Sequence, residues 1–354
     1  MTAAEDSRDL VEPQPPSEPN PEFNLDEEAP DFWEREREKS LCMVALGGNA
    51  ISSPDSDGTF QAQMSAVENT AKEIVEVMKA GFKVVLTHGN GPQVGSLLLQ
   101  QEQGDLPAQP LEVCGAMSQG QIGYMFSQQM YRQLETNWKH VPVAAIITQT
   151  IIDPDDPAFD DPTKPVGPFY SADQVEQLRE QGMTIKKVRD TGDRDYRRVV
   201  PSPEPQGIVE ETPVKRLIGK RDLVITGGGG GVPVSRAEGY IDGHDAVVDK
   251  DLLANVIGHR LDADYLLIIT DVEGVYRDYG TPDEAFIDKI TAEELEQLHA
   301  SGEFPEGSMG PKVDAAYRFV RADSERDREA IITSLENAKT ALTEGAGTHV
   351  VEST

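Results

Sequence analysis

The sequence predicts an α/β fold built on a mainly parallel sheet with helices on both faces. Two observations lead there. Beyond about residue 40, short β-branched apolar runs alternate with stretches of helical periodicity, the order that βαβ units produce. Several of those runs also break into glycine where a parallel strand hands over to the next helix: Gly47-Gly48-Asn49, Gly89-Asn90-Gly91 and Gly227 to Gly231.

LCMVAL (41–46) reads as the first strand. Residues 61–80 then place Met64, Val67, Ala71, Ile74, Val77 and Met78 on one helical stripe, closed by Gly81. KVVLTH (83–88) is the second strand and SLLLQQEQ (96–103) the helix after it. VAAIITQT (143–150), LVIT (223–226), YLLIITDVEGVY (265–276) and AIITSLENA (330–338) supply further strands, the last running into a helix. Thr291 and Glu294 have capping-box spacing for TAEELEQL. Residues 152–207 break the alternation. They are dense in Pro and Asp with one clear helix, SADQVEQLREQG, and so form a lid or small subdomain inserted over the site. Residues 1–39 are acidic, Pro-rich and poor in apolar side chains, the composition of a disordered tail. Within them DFWEREREK has the pattern of a short helix, with Phe32 and Trp33 to dock it.

Composition excludes some classes. Against 32 Lys and Arg stand 63 Asp and Glu, a net charge of −31, which repels nucleic acid and anionic membranes. The acid is spread along the whole chain, as in a surface solvated for high salt. No apolar run approaches the roughly 18 residues of a membrane span, and MTAAEDSRDL lacks signal-peptide features, so the expected location is cytoplasmic. Cys42 and Cys114 make neither a disulfide framework nor a metal cluster.

The glycines point to chemistry. Bare N–H groups at the carboxyl ends of parallel strands form an anion cradle, and three such loops on one edge predict a phosphate site. The usual fingerprints are missing. Gly219-Lys220 is followed by Arg221, not Ser or Thr, and HGNGPQVG is one residue too long for a dinucleotide motif. The cations come instead from Lys164 in the insertion, Lys250 at a helix start between Asp249 and Asp251, and Lys312 just after Pro311. A lysine at a helix start opposes the dipole unless an anion shares the site. The six histidines show neither metal spacing nor a partner for nucleophilic catalysis, and Ser52 and Ser308 lack a base. His88, beside Gly89, is either near the substrate or a structural turn histidine.

VALGGNAI, LTHGNGPQVGSLLLQ, DPTKPVGPF, RRVVPSPEP, the glycine run, AVVDKDLLA, ITDVEGVY, YGTPDEA and EGSMGPKVDAA together resemble carbamate kinase, of the amino acid kinase superfamily, from about residue 41 onward. The resemblance implies an αβα sandwich with an eight-stranded, mainly parallel sheet, usually as a homodimer. It implies a carbamate or carbamoyl-phosphate lobe over 40–215, containing the insertion, and a nucleotide lobe over 216–354 that takes ADP or ATP with Mg2+ held through the nucleotide phosphates. Gly47, Gly48, Asn49, Gly89, Asn90 and Gly91 would cradle carbamate and the transferred phosphoryl group. Lys164 would reach in from the lid; Lys250 and Lys312 would meet nucleotide phosphates, oriented by Asp249. Gly227, Gly228, Gly229 and Gly230 would line the phosphate path, with Asp271, Tyr276 and Met309 near the nucleotide. Tyr196 stands where the resemblance leads one to expect Trp. The implied reaction is ADP plus carbamoyl phosphate giving ATP plus carbamate, in arginine or agmatine catabolism. Its alternatives are the reverse, biosynthetic direction, another superfamily member such as an acetylglutamate kinase, or a binding role without turnover.

Overall fold

A computed structural model describes residues 39–52, 58–104, 106–137, 141–190, 192–220, 223–237, 239–305, 307–322 and 327–353, without the side chains of 49 and 135–137. The expected tail helix with Phe32 and Trp33 lies outside the described residues. From Ser40 to Thr354 the chain is one compact unit.

Its centre is an eight-stranded sheet. The strands of this sheet are β1 (Leu41–Leu46), β2 (Lys83–His88), β3 (Val143–Ala145), β4 (Leu223–Ile225), β5 (Tyr265–Thr270), β6 (Lys289–Thr291), β7 (Glu329–Ser334) and β8 (Thr348–Val351), in the spatial order β6-β8-β7-β5-β1-β2-β4-β3. Every pairing is parallel except β7 with β8. The helices are α1 (Phe60–Lys79), α2 (Gly91–Gln103), α3 (Leu111–Asn137), α4 (Val175–Glu180), α5 (Glu211–Gly219), α6 (Lys250–Arg260), α7 (Ala292–Ala300), α8 (Met309–Arg321) and α9 (Ala338–Glu344).

The central strand β1 shows why two layers of helix are needed. All six of its residues are buried, because side chains alternate between two cores. Met43 and Ala45 join Leu253, Ile257, Leu295 and Phe319 of α6, α7 and α8. Cys42, Val44 and Leu46 join Ile74, Phe126 and Ala338 of α1, α3 and α9. The αβα sandwich follows directly. On α1 the stripe Val67, Ala71, Ile74, Val77 and Met78 is buried as its spacing predicts, and Thr59 caps the helix by accepting from the Ala62 N–H. The Thr291–Glu294 capping box forms at the start of α7.

Some elements differ from the sequence expectation. VAAIITQT is two strands: Val143–Ala145 ends the main sheet, while Gln149–Ile151 joins a second sheet with Gly207–Ile208, Val232–Ala237 and Tyr240–Gly243. Gln119 holds the break, accepting from Thr148 N–H at 2.8 Å and donating to its carbonyl at 3.2 Å. YLLIITDVEGVY likewise divides after Thr270, and Val275–Arg277 pairs with Ala285–Ile287 in a separate hairpin. The long helix α3 has no counterpart among the expected elements. Its buried residues mix Ile122, Met125 and Phe126 with Ser118, Gln119, Gln129 and Gln133, which blurs the apolar stripe.

The insertion 152–207 is a small antiparallel sheet, Lys164–Tyr170, Tyr196–Val200 and Ile185–Lys187, rather than a bare loop. Tyr170, Val175 and Ile185 form its own core, with Tyr196 half-buried against them in place of the expected indole. The Tyr170 hydroxyl donates to Glu102 on α2 at 2.7 Å, tying the insertion to the helix that starts at the Gly89–Gly91 loop.

Candidate active site

The glycine loops meet at the carboxyl edge of the sheet, where ligands bind in open α/β folds. Backbone bonds stitch them together: Gly47 N–H donates to Ile269 at 3.1 Å, and Gly89 N–H to Leu46 at 3.1 Å. Two cavities open there. The smaller, about 220 Å³, is lined by Gly89, Asn90, Gly91, Lys164, Asp249, Lys250 and Gly229. The larger, about 500 Å³, is lined by Gly47, Gly48, Asp271, Tyr276 and Met309. Ser308 and Lys312 line both. The candidate residues therefore converge, but in a particular arrangement. Gly47 and Gly48 face the larger space, while from the glycine run Gly229 and Gly231 face the smaller one.

The lysines are held by two aspartates with separate tasks. Asp249 is the N-cap of α6; its side chain accepts from Asp251 N–H at 2.8 Å and from Lys164 Nζ at 2.6 Å. Asp251 carries the other two, with Oδ1 accepting from Lys250 at 2.5 Å and Oδ2 from Lys312 at 3.1 Å. Its side chain is only 3% exposed, and those of Lys250 and Lys312 are 14% and 15% exposed. Asp251 is thus the shared counter-ion of two buried ammonium groups, a role that adjacency in the DKD triplet hinted at without separating it from Asp249.

Burial opposes every charge here, and the partners decide the outcome. Burial pushes the Lys250 pKa down, and Asp251 compensates only in part because Lys312 adds repulsion. Burial would push the Asp251 carboxyl up, but Lys250 and Lys312 outweigh it and hold it well below its ordinary value. Lys312 is also penalised by burial, yet Asp251, with help from Asp249 and Asp271, raises its pKa. Two positive charges against one negative leave an excess positive charge beside Gly89 and Asn90, which an anion would neutralise.

The amino acid kinase family model matches residues 40–334. A carbamate kinase of Thermococcus kodakarensis is 48% identical over 315 residues, covering 87% of this chain and 98% of that protein. One of Halobacterium salinarum is 47% identical, covering 88% and 98%. The chain belongs to the carbamate kinases of the amino acid kinase family. Among solved structures, carbamate kinase from Giardia lamblia bound to AMP-PNP superposes with a TM-score of 0.82 at 43% identity, covering 89% of this chain and 99% of that one.

In this carbamate kinase the glycine run is required chiefly by other protein atoms, not by a ligand lying along all five residues. A β-carbon at Gly228 would strike the His88 ring, at Gly229 the Asn90 amide, at Gly230 the Val248 carbonyl oxygen, and at Gly231 the Thr150 hydroxyl. Thr87 and Thr150 hydroxyls donate to the carbonyls of Gly227 and Gly230 at 2.9 and 2.7 Å. The run is a wedge that sets the spacing between the Gly89–Gly91 loop and the chain entering Lys250. Gly230→Ala combines φ +86° with a collision against backbone, and is expected to destabilise by about 2–4 kcal/mol in urea unfolding. Gly239→Ala, at φ +87° but in open space, is the control and should cost only about 1–2 kcal/mol.

His88 resolves as structural. It is buried and stacked on Phe126 with centroids 6.0 Å apart, its Nδ1 hydrogen-bonds to Gly89 O at 2.8 Å, and burial lowers its pKa to about 4. It stays neutral and outside both cavities. The cavity linings add Ser308, Glu112 and Arg197, which no motif singled out as site residues.

Proposed function

We propose that this chain transfers a phosphoryl group reversibly between carbamoyl phosphate and ADP, yielding ATP and carbamate. The observation that carries this is the pair of unequal cavities sharing Ser308 and Lys312. The smaller suits carbamoyl phosphate and the larger a nucleotide, so transfer takes place where Lys312 stands between them. Relatives matched over nearly their full lengths are named carbamate kinases, which favours carbamate over another acceptor.

Phosphoryl transfer spreads negative charge over the equatorial oxygens, and the catalyst mainly positions and neutralises. Lys250 and Lys312 supply the charge at fixed positions because Asp251 holds both. Lys164 enters from the insertion and is parked on Asp249. Gly48, Asn49, Asn90 and Gly91 present backbone N–H groups to the transferred group and carbamate, while Gly47 and Gly89, whose N–H groups bond to Ile269 and Leu46, hold the two loops at the sheet edge; Gly227 to Gly230 space these loops. Carbamate is already an anion at neutral pH, so no general base is needed. Asp271, Tyr276 and Met309 hold the nucleotide. Among the described residues no group of three or more His, Cys, Asp or Glu could cage a metal ion. Mg2+ would come with the nucleotide, held through its phosphates, and would supply positive charge against their oxygens. The lobes 40–215 and 216–354 lean toward carbamate and nucleotide respectively, with Gly229, Asp249 and Lys250 of the second reaching the smaller cavity and Gly47 and Gly48 of the first the larger.

Carbamoyl phosphate is a mixed anhydride, which favours ATP formation and a place in arginine or agmatine catabolism. No described helix is long and apolar enough to cross a membrane, and a cytoplasmic location is consistent with that. A homodimer is supported by exposed Met117, Tyr124 and Tyr131, spaced by seven along α3 beside the edge strand β3. The acidic excess supports function in high salt. The test is ATP production from ADP, Mg2+ and carbamoyl phosphate, in molar potassium chloride and in dilute buffer. Rapid formation, strongest at high salt, is expected. Folded protein that binds ADP but makes no ATP in either buffer would overturn the assignment.

A further inference from the structure

The smaller cavity contains two polar groups that the lysine network leaves unused. Glu112 stands in the first turn of α3 and lines the cavity. Among the described residues its carboxylate makes no hydrogen bond or ion pair. Its place is fixed by packing, because the carboxylate lies against Gly243, where a β-carbon would collide with it. Arg197, from the insertion, lines the same cavity, and its Nε is buried with no hydrogen-bond partner. The rest of that guanidinium is anchored: one terminal nitrogen donates to Gly167 O at 2.8 Å, and the group lies 5.1 Å from the Phe169 ring centroid. Val94, Leu111 and Val166 of one apolar cluster form part of the wall of the same cavity.

An unpaired carboxylate is out of place in a pocket for a multiply charged anion, since it repels the phosphoryl end. It makes sense if it meets a hydrogen-bond donor. A carbamoyl group offers one: its NH2 donates, and its carbonyl oxygen beside it accepts. Building on the proposed function, we infer that Glu112 accepts from the carbamoyl NH2 while the Arg197 guanidinium, which lines the same cavity, donates to the carbonyl oxygen, so that the site selects carbamoyl phosphate over an acyl phosphate. An acetyl group presents a methyl where the amine would be, and the Glu112 carboxylate would then be desolvated without a partner. Rejecting an analogue that lacks a hydrogen-bonding group is the strongest discrimination a pocket makes. The apolar wall strengthens both hydrogen bonds by excluding water.

The test compares kcat/KM for ATP formation from carbamoyl phosphate and from acetyl phosphate. Glu112→Ala should lower the carbamoyl:acetyl ratio by about 10- to 100-fold, as loss of one charged hydrogen bond does. Glu112→Gln keeps an acceptor oxygen and should hold the ratio within about threefold of the parent chain. Gly243→Ala leaves Glu112 in the chain but pushes its carboxylate aside, and should lower the ratio in the same direction. Arg197→Met should slow both donors together, because both carry the carbonyl. An unchanged ratio in Glu112→Ala and Gly243→Ala, with carbamoyl phosphate still used by the parent chain, would overturn the selectivity role alone. No ATP from carbamoyl phosphate in the parent chain would instead remove the proposed function and this role with it.

Discussion

Asp251→Asn is expected to lower turnover by about 10³-fold and stability by about 3–5 kcal/mol. The carboxylate is 3% exposed and holds Lys250 and Lys312 through different oxygens. Removing its charge leaves two ammonium groups buried side by side with no shared anion, and each already repels the other. Breaking a buried pair costs more than the pair contributes, because the orphaned charge cannot regain its water. Two pH effects follow. Asp251 raises the pKa of both lysines, so its loss lowers both, and the alkaline limb of the rate profile should move toward neutral pH. The Asp251 carboxyl itself titrates lower in the folded protein than unfolded. Its contribution to stability is therefore complete above the ordinary carboxylate pKa of about 4 and fades as pH falls through the folded value. In the variant that acid-side slope should flatten. Stopped ATP assays across pH, with urea unfolding at neutral and acid pH, read all of these. A variant with the parent chain's turnover and alkaline limb would show that the lysines do not depend on Asp251.

Much of this arrangement was legible because strand ends and glycines are local signals. The sites at Gly47, Gly89 and Gly227 follow from apolar runs that stop abruptly, and β1 reads as buried because every residue in it is apolar. Lys250 was legible from its place beside a helix start. Other features depend on contacts between distant segments. Asp249 and Asp251 are chemically identical and two residues apart, and only the approach of Lys164 and Lys312 from elsewhere assigns one to each task. The glycine run looked like a phosphate bed, but its neighbours Asn90, Thr150 and Val248 come from other loops. β6 and β8 were missed because strands of three and four residues carry too little pattern. For α3 the reason is different: Gln119 is buried as a hydrogen-bonding group to Thr148, and Gly123 is there because Ala145 of β3 comes too close for a side chain. Neither signal is periodic hydrophobicity.

Lys312→Met should behave as the counterpart to Asp251→Asn, with turnover down by about 10²-fold or more and stability unchanged or higher. The balance of charge makes the difference. Lys250, Lys312 and Asp251 sum to one excess positive charge in a buried cluster, and removing Lys312 leaves the Lys250–Asp251 pair at 2.5 Å neutral and intact. Methionine fills most of the volume of the lysine stem, so packing at the start of α8 is kept. What disappears is the ammonium at the boundary of the two cavities, the one side-chain charge common to both among the described residues. If Lys312 stabilises charge that develops during transfer, kcat should fall with little change in the KM for carbamoyl phosphate. If it only helps hold the nucleotide, the KM for ADP should rise instead while kcat stays near that of the parent chain. Thermal unfolding separates both outcomes from a folding defect, because the variant is expected to melt no lower than its parent. A fall in kcat without a fall in melting temperature would place the excess charge of this cluster in the service of the reaction, maintained at some expense to the fold.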